Sequence, residues 1–132
     1  MQDIWTEELS PVAVRTPDGP DQLVAAVTVT GIGRRAMHAH IELAGELCAG
    51  TTPAVAEVVD RVLALGVLDL RFDLHPLRLC TSAGIDMWVD TAARVLPQGG
   101  DVRLAGASGV VRRALDAVGV SDSAEFHPPF LN

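Results

Sequence analysis

The amino-acid sequence predicts an α/β fold with a mixed sheet of four to five strands and three to four helices. Segments with strand periodicity and segments with helical periodicity alternate along the chain, in the order strand, strand, helix, strand, helix, strand, helix, strand. Helices that link consecutive strands in this way favour parallel pairing. The length of 132 residues is that of one ordinary domain and allows a sizeable buried core.

The start of the chain has a different composition from the rest. Residues 1–22 are rich in Pro, Asp, Glu and Gly, and residues 17–20 form the turn signal Pro-Asp-Gly-Pro. We therefore expect an acidic N-terminal arm over residues 1–22, with at most a short strand at 12–15. The domain proper is expected over residues 23–127, and residues 128–132 form a C-terminal tail.

The first two predicted strands form a hairpin. Residues 23–30 are apolar and Val-rich, and residues 38–47 alternate strictly between apolar and polar side chains. Between them, Gly31-Ile32-Gly33-Arg34-Arg35-Ala36 matches the dinucleotide-binding pattern G-x-G-x-x-A. That pattern has to open a helix, whereas a strand follows here, so a hairpin turn is the favoured interpretation.

Turn and cap residues place the remaining elements. Thr51-Thr52-Pro53 opens a helix that Gly66 ends. A strand over residues 67–74 continues through His75-Pro76 into residues 77–80, and a second helix starts at Thr81-Ser82-Ala83-Gly84. A strand at 102–105, a third helix capped by Ser108 and ended by Gly119, and a short strand near 124–127 complete the order.

Composition excludes several classes of function. All ten basic residues are arginine, and without lysine there is no P-loop, Schiff-base or protein kinase chemistry. The net charge of −7 disfavours nucleic acid as a partner. No apolar run is long enough for a membrane span and no secretory signal is visible, so we expect a cytoplasmic protein with no membrane partner.

Two groups of residues could carry chemistry but have simpler interpretations. His38, His40 and Glu42 share one strand face, where they could bind zinc, but a solvated outward face is favoured and we expect no metal. Cys80 precedes a helix start, the position of a thiol nucleophile, yet Ile85 and Asp86 stand where a phosphate loop needs arginine. A buried structural cysteine is favoured over a thiol enzyme.

Ser82 is expected at the exposed start of the second helix. It could serve as an N-cap, or it could accept a phosphate, whose charge the helix-end amides and dipole stabilise. The nucleophile pattern G-x-S-x-G is absent, so a serine hydrolase is excluded.

The chain resembles the STAS domain of anti-sigma factor antagonists. Gly45-Glu46-Leu47, with Thr51 and Pro53-Ala54 after it, is similar to that family's G-E-L-D strand end and helix start. Asp73-Leu74 and Leu79-Cys80-Thr81-Ser82-Ala83-Gly84-Ile85 are similar to its Asp-Leu strand end and D-S-S-G-L loop. Gly99-Gly100-Asp101-Val102-Arg103-Leu104 is similar to its G-G-x-L-x-L strand, and the resemblance covers residues 24–127.

This resemblance implies a non-enzymatic regulatory protein without a cofactor. In the family, an anti-sigma factor that is also a histidine-kinase-like serine kinase phosphorylates the first serine of D-S-S-G, and the unphosphorylated form binds this partner. Ser82 occupies that position. The implied partner-binding residues are Cys48, Thr51, Thr81, Ser82, Ala83, Gly84 and Asp86.

Three of these positions depart from the family pattern. Cys48 replaces the Asp of G-E-L-D, Thr81 replaces the Asp before the serine, and Asp86 replaces a small residue. A phosphorylation-independent STAS scaffold or ligand-binding module is the alternative. A homodimer also stays open, with an exposed Trp5 and residues 127–131 as the arms that could pack on a second subunit.

Overall fold

A computed structural model describes residues 3–15, 22–107 and 109–117. Its strands are β1 (Ile4–Arg15), β2 (Gln22–Ile32), β3 (Arg35–Leu47), β4 (Asp69–Asp73), β5 (Leu77–Cys80) and β6 (Asp101–Ala105). Its helices are α1 (Thr52–Ala64), α2 (Ser82–Val95) and α3 (Gly109–Ala117), with one 3-10 turn at Leu96–Gln98. The α/β fold with a mixed sheet is confirmed, but the described residues already form six strands where four to five were expected. Ser108, Gly119 and the strand expected near 124–127 lie outside the described residues.

The sheet combines an antiparallel half and a parallel half. Its order is β1-β2-β3-β4-β6, and β5 lies beside the last residues of β3. The pairs β1–β2 and β2–β3 are antiparallel, whereas β4 and β5 both pair in parallel with β3, and β6 pairs in parallel with β4. The sequence predicted a strand over residues 67–74 that continues into residues 77–80. In the structure, β4 and β5 are separate strands, and they pair with successive parts of β3.

The largest difference from the sequence-based expectation is β1. It pairs with β2 from Ile4 to Arg15, with a register shift between Leu9 and Val12. The expectation of an arm is therefore wrong for residues 4–11, whereas the short strand expected at 12–15 is the end of β1. Trp5 is not an exposed arm residue either, because it is half-buried and its indole N–H donates to the carbonyl of Gly33 at 2.8 Å.

One face of the sheet carries the core. The apolar residues of β2 and β3 that alternate along the strand are buried, and so are Phe72 in β4 and Leu104 in β6. Trp88 of α2 is fully buried and meets Phe72 edge to face, with ring centroids 6.0 Å apart. The other face of β3 exposes His38, His40 and Glu42, which confirms the solvated interpretation of that alternation.

The glycine-rich segment between β2 and β3 is a tight turn. Ile32 pairs with Arg35, and Gly33 has the left-handed φ of 61° that a two-residue hairpin of this kind needs at its first central position. The chain continues directly as β3, so the hairpin prediction is confirmed and no helix opens at this motif.

Gly45 lets β3 change partners. The first part of β3 pairs with β4 up to the pair Glu42–Asp73. Its last three residues pair with β5, with a register shift between Gly45 and Glu46. Gly45 has a φ of 110°, a backbone conformation that residues with a side chain rarely adopt, and a Cβ there would overlap the carbonyl oxygen of Gln22. The end of β3 is thereby placed beside the end of β5.

Candidate functional site

Parallel pairing brings the ends of β3 and β5 to the same edge of the sheet. Leu47 and Cys80, the last residues of these strands, are paired, and the backbone N–H of Thr81 donates to the carbonyl of Leu47 at 2.9 Å. Cys48 and Thr81 therefore leave the sheet side by side. The two segments that the sequence singled out, 48–51 and 81–86, start from one place in the fold.

Thr51 organises the loop between β3 and α1. Its hydroxyl donates to the carbonyl of Glu46 at 2.7 Å and accepts from the N–H of Cys48 at 3.0 Å. Thr51 is the N-cap residue of α1, yet it is 0% exposed and its side chain makes no cap hydrogen bond. The Thr51 side chain therefore holds this loop in shape and is covered in the free protein, while a role in partner binding stays a prediction.

Thr51→Val is expected to lower the free energy of unfolding by about 1–3 kcal/mol. Valine has nearly the shape of threonine but leaves the Glu46 carbonyl and the Cys48 N–H without their hydrogen-bond partner. Urea denaturation of the variant measures the loss. Thr51→Ser keeps the hydroxyl and is the matched control. Equal stability of Thr51→Val and wild type would show that the hydroxyl does not hold this loop.

Helix α2 begins at the neighbouring loop. Thr81 is its N-cap residue and makes no side-chain cap hydrogen bond, while its carbonyl accepts from the N–H groups of Gly84 at 3.1 Å and Ile85 at 3.3 Å. Ser82 is the first residue of the helix and not its cap, and it is exposed. The Ser82 hydroxyl is consequently not needed to close the helix end, and it stands in solvent beside the loop that follows β3.

Gly84 fixes how closely α2 approaches the sheet. It is buried, and a Cβ built on it would lie 2.5 Å from Leu47 Cδ2, 2.8 Å from Leu47 Cγ and 3.1 Å from Cys80 Sγ. The two separations from Leu47 are shorter than real Cβ atoms show, and the separation from Cys80 is tighter than most Cβ contacts. Gly84 is buried like Thr51, and its lack of a side chain lets the start of α2 lie on the paired strand ends, while its role in partner binding stays a prediction.

The remaining residues of the predicted set form the accessible surface, which we call the switch surface: Cys48, Thr81, Ser82, Ala83 and Asp86. Ser82 and Asp86 are exposed and the other three are partly exposed. Residues four apart on a helix are neighbours on one face, so the Asp86 carboxylate stands one turn from the Ser82 hydroxyl. The switch surface thus combines a free hydroxyl with one fixed negative charge.

Cys80 has the environment of a structural thiol. It is buried, and burial raises the pKa of its thiol to about 12. The nucleophilic form of cysteine is the thiolate, and a pKa this high keeps the thiol protonated near neutral pH. Cys48 and Cys80 are both free cysteines. The buried-cysteine interpretation is therefore favoured over a thiol nucleophile.

At about pH 8, a thiol reagent such as Ellman's reagent is expected to modify Cys48 in the native protein and to leave Cys80 unmodified. Cys48 is partly exposed, whereas burial keeps Cys80 covered and protonated. Mass analysis of peptides after labelling locates the modified thiol. Labelling in denaturant gives the extent of modification when both cysteines are accessible. Rapid native labelling of Cys80 would contradict the structural assignment.

An ion pair that sequence patterns do not reveal ties the strand ends together. Arg78 Nη2 of β5 lies 3.0 Å from Glu46 Oε1 of β3, and Glu46 Oε2 accepts weakly from the N–H of Gln22 at 3.4 Å. The Glu46 side chain is 19% exposed and that of Arg78 63%. Outward positions for both residues could be inferred from alternation, but their pairing depends on the register between β3 and β5.

The part of the chain that the structure describes contains neither a metal-binding cluster nor a membrane-spanning helix. In residues 3–15, 22–107 and 109–117, no group of three or more His, Cys, Asp or Glu side chains is placed to hold a metal ion. His38 and His40 instead lie beside Asp69 and Asp73, at 3.6 and 3.8 Å. No helix in the same part of the chain is long and apolar enough to cross a bilayer.

Comparison with known proteins gives a family and a fold. The STAS domain family matches residues 27–130. The structure is similar to an anti-sigma factor antagonist from Mycobacterium paratuberculosis, with a TM-score of 0.63 and 20% identity over 76% of this chain and 81% of that one. It is also similar to the anti-sigma factor antagonist SpoIIAA in its unphosphorylated form, with a TM-score of 0.60 and 17% identity over 73% and 86% of the two chains. No curated protein matches the sequence.

Proposed function

Because the chain belongs to the STAS domain family, we propose that it is an anti-sigma factor antagonist, a non-enzymatic protein that binds an anti-sigma factor. We further propose that this partner is a histidine-kinase-like serine kinase and that phosphorylation of Ser82 releases it. The observation that carries the proposal is the position of Ser82. It is exposed at the first residue of α2 and lies next to the loop that follows β3.

The start of α2 can receive a phosphate without losing its structure. A helix N-terminus carries a partial positive charge, which stabilises an anion there by roughly 0.3–1 kcal/mol. Ser82 is exposed and is not the cap residue, so adding a phosphate displaces no cap hydrogen bond. The modified protein is expected to stay folded, so the phosphate changes the affinity for the partner and not the fold.

The same phosphate disturbs a complex formed on the switch surface. A phosphoserine carries about −1.5 to −2 charges at neutral pH and has to lose water when a partner covers it. Asp86, one turn along the exposed face, adds a second negative charge to the same area. A partner that fits the unmodified hydroxyl therefore meets repulsion and desolvation after modification.

Intact mass after incubation with ATP tests the modification. The reagent is a purified anti-sigma kinase of the histidine-kinase-like class, and the expected result is the added mass of one phosphate that Ser82→Ala abolishes. Ser10→Ala, which removes another exposed serine, is the matched control and should leave the modification unchanged. No added phosphate, or phosphate that persists in Ser82→Ala, would remove the switch from the proposal.

The alternative is a phosphorylation-independent scaffold or ligand-binding module on the same surface. The neutral residues Cys48 and Thr81 and the added Asp86 favour it, because they change the charge around Ser82 relative to the family pattern. A tight partner whose affinity is the same for wild type and Ser82→Asp would support this alternative over the switch.

A further inference from the structure

A second surface lies at the opposite end of β3 from Ser82. We call it the hairpin-tip patch, and it consists of Ile32, Arg34, Arg35, Met37 and Leu65, which line one open depression. The first four residues belong to the β2–β3 turn and its flanks, and Leu65 is the residue that ends α1. The patch thus joins the tip of the hairpin to the end of the first helix.

Backbone geometry accounts for the glycine in this turn but not for the arginines. Gly33 supplies the positive φ that the two-residue hairpin requires. Nothing in that turn requires a long cationic side chain at Arg34 or Arg35. Both are exposed, and neither has a carboxylate partner among the residues that the structure describes. The two guanidinium groups are consequently available to a ligand.

Apolar side chains accompany these charges. Leu65 is 52% exposed and Ile32 is 39% exposed, so two of the five exposed large apolar residues among those described lie here, and Met37 is partly exposed beside them. Single exposed apolar residues are ordinary on protein surfaces, but several around one depression mark interaction sites. The depression is lined by two positive charges and no carboxylate, although the chain as a whole carries a net charge of −7.

We propose that the hairpin-tip patch binds an acidic peptide segment of a partner protein through at least one apolar anchor side chain. The anchor lies among Ile32, Met37 and Leu65, and carboxylates on either side of it pair with Arg34 and Arg35. Guanidinium groups bind carboxylates with two parallel hydrogen bonds, which makes arginine well suited to this contact.

A peptide fits these features better than a lipid surface does. The patch is a depression, which receives a projecting side chain, whereas a flat bilayer would contact only its rim. The net charge of −7 repels an anionic membrane, and a peptide that contacts the tip alone meets much less of that repulsion. Binding to anionic vesicles is therefore the competing outcome of the test.

Distance separates this patch from the switch surface. The 13 residues of β3 run from Arg35, in the patch, to Leu47. The carbonyl of Leu47 accepts a hydrogen bond from Thr81, which belongs to the switch surface. At about 3.3 Å per residue the two ends are about 40 Å apart. A partner whose contacts stay near Ser82 would leave the hairpin tip uncovered, so the two surfaces are separate sites. The patch does not depend on the function proposed for Ser82.

Fluorescence anisotropy with a labelled nine-residue peptide of alternating glutamate and leucine tests the inference. Arg34→Glu is expected to weaken binding at least about tenfold relative to Arg71→Glu, a control with the same change in net charge at an exposed residue outside the patch. Leu65→Ser is expected to weaken binding several-fold, and Ser82→Asp should leave it unchanged. The peptide with glutamine for glutamate should bind more weakly.

Three results would overturn the inference. The first is no binding of the glutamate peptide at millimolar concentration. The second is equal loss of affinity in Arg34→Glu and Arg71→Glu, which would assign the effect to net charge alone. The third is Arg34-dependent binding to phosphatidylserine vesicles without binding of the peptide, which would assign the patch to a membrane.

Discussion

Ser82→Asp is expected to weaken the proposed complex with an anti-sigma kinase by about tenfold or more, which corresponds to about 1.4 kcal/mol. Aspartate places one negative charge at the exposed first residue of α2, one turn from the carboxylate of Asp86. A partner that covers this face has to strip water from both charges and accept their repulsion. Isothermal titration of the variant against the purified kinase measures the change.

The control for this prediction is Ser10→Asp, which adds the same charge at an exposed position of β1. It should bind the kinase with nearly the affinity of wild type. Asp86→Asn removes the fixed charge and should make the effect of Ser82→Asp smaller. Equal affinities for Ser82→Asp and wild type would mean that the partner does not contact this part of α2.

Gly84→Ala is expected to destabilise the protein by about 1–3 kcal/mol, although the same change inside a helix usually stabilises it by up to about 1 kcal/mol. The new methyl group would lie 2.5 Å from Leu47 Cδ2 and 3.1 Å from Cys80 Sγ. Leu47 is fully buried and has little room to move. Relief of the overlap requires the start of α2 to shift away from the sheet, which also moves Ser82.

A double-mutant cycle separates this overlap from other effects of the methyl group. Leu47→Ala removes the side chain that Gly84→Ala would meet and costs about 2–5 kcal/mol by itself. If the overlap is the cause, the double variant should lose clearly less stability than the sum of the two single variants. Chemical denaturation gives all four values. A Gly84→Ala protein as stable as wild type would contradict the close approach of α2.

The helices and the inner strands were predictable because their signals are local. Pro53, Gly66 and the turn at Gly33 mark element ends, and alternation along residues 38–47 identified a strand with one buried face. The sequence also placed Ser82 correctly at the exposed start of α2. These features depend on neighbours within a few residues, which a sequence displays directly.

Features that depend on pairing across the sheet were missed. The acidic and Pro-containing residues 4–15 resemble an arm, but they form β1 because residues 4–9 and 12–15 pair with the edge of β2. The separation of β4 from β5 depends on where β3 changes partner, near Gly45. The burial of Thr51 and Gly84, and the pair Glu46–Arg78, follow from that same register.

The measurement that most directly tests the proposed switch is the affinity of the purified anti-sigma kinase for this chain before and after phosphorylation at Ser82. A phosphate on the switch surface is expected to cost about 2–5 kcal/mol, which predicts a Kd about 30-fold to several thousand-fold higher for the phosphorylated form. Treatment with a phosphatase should restore the original Kd. The same Kd for both forms would contradict a switch at Ser82.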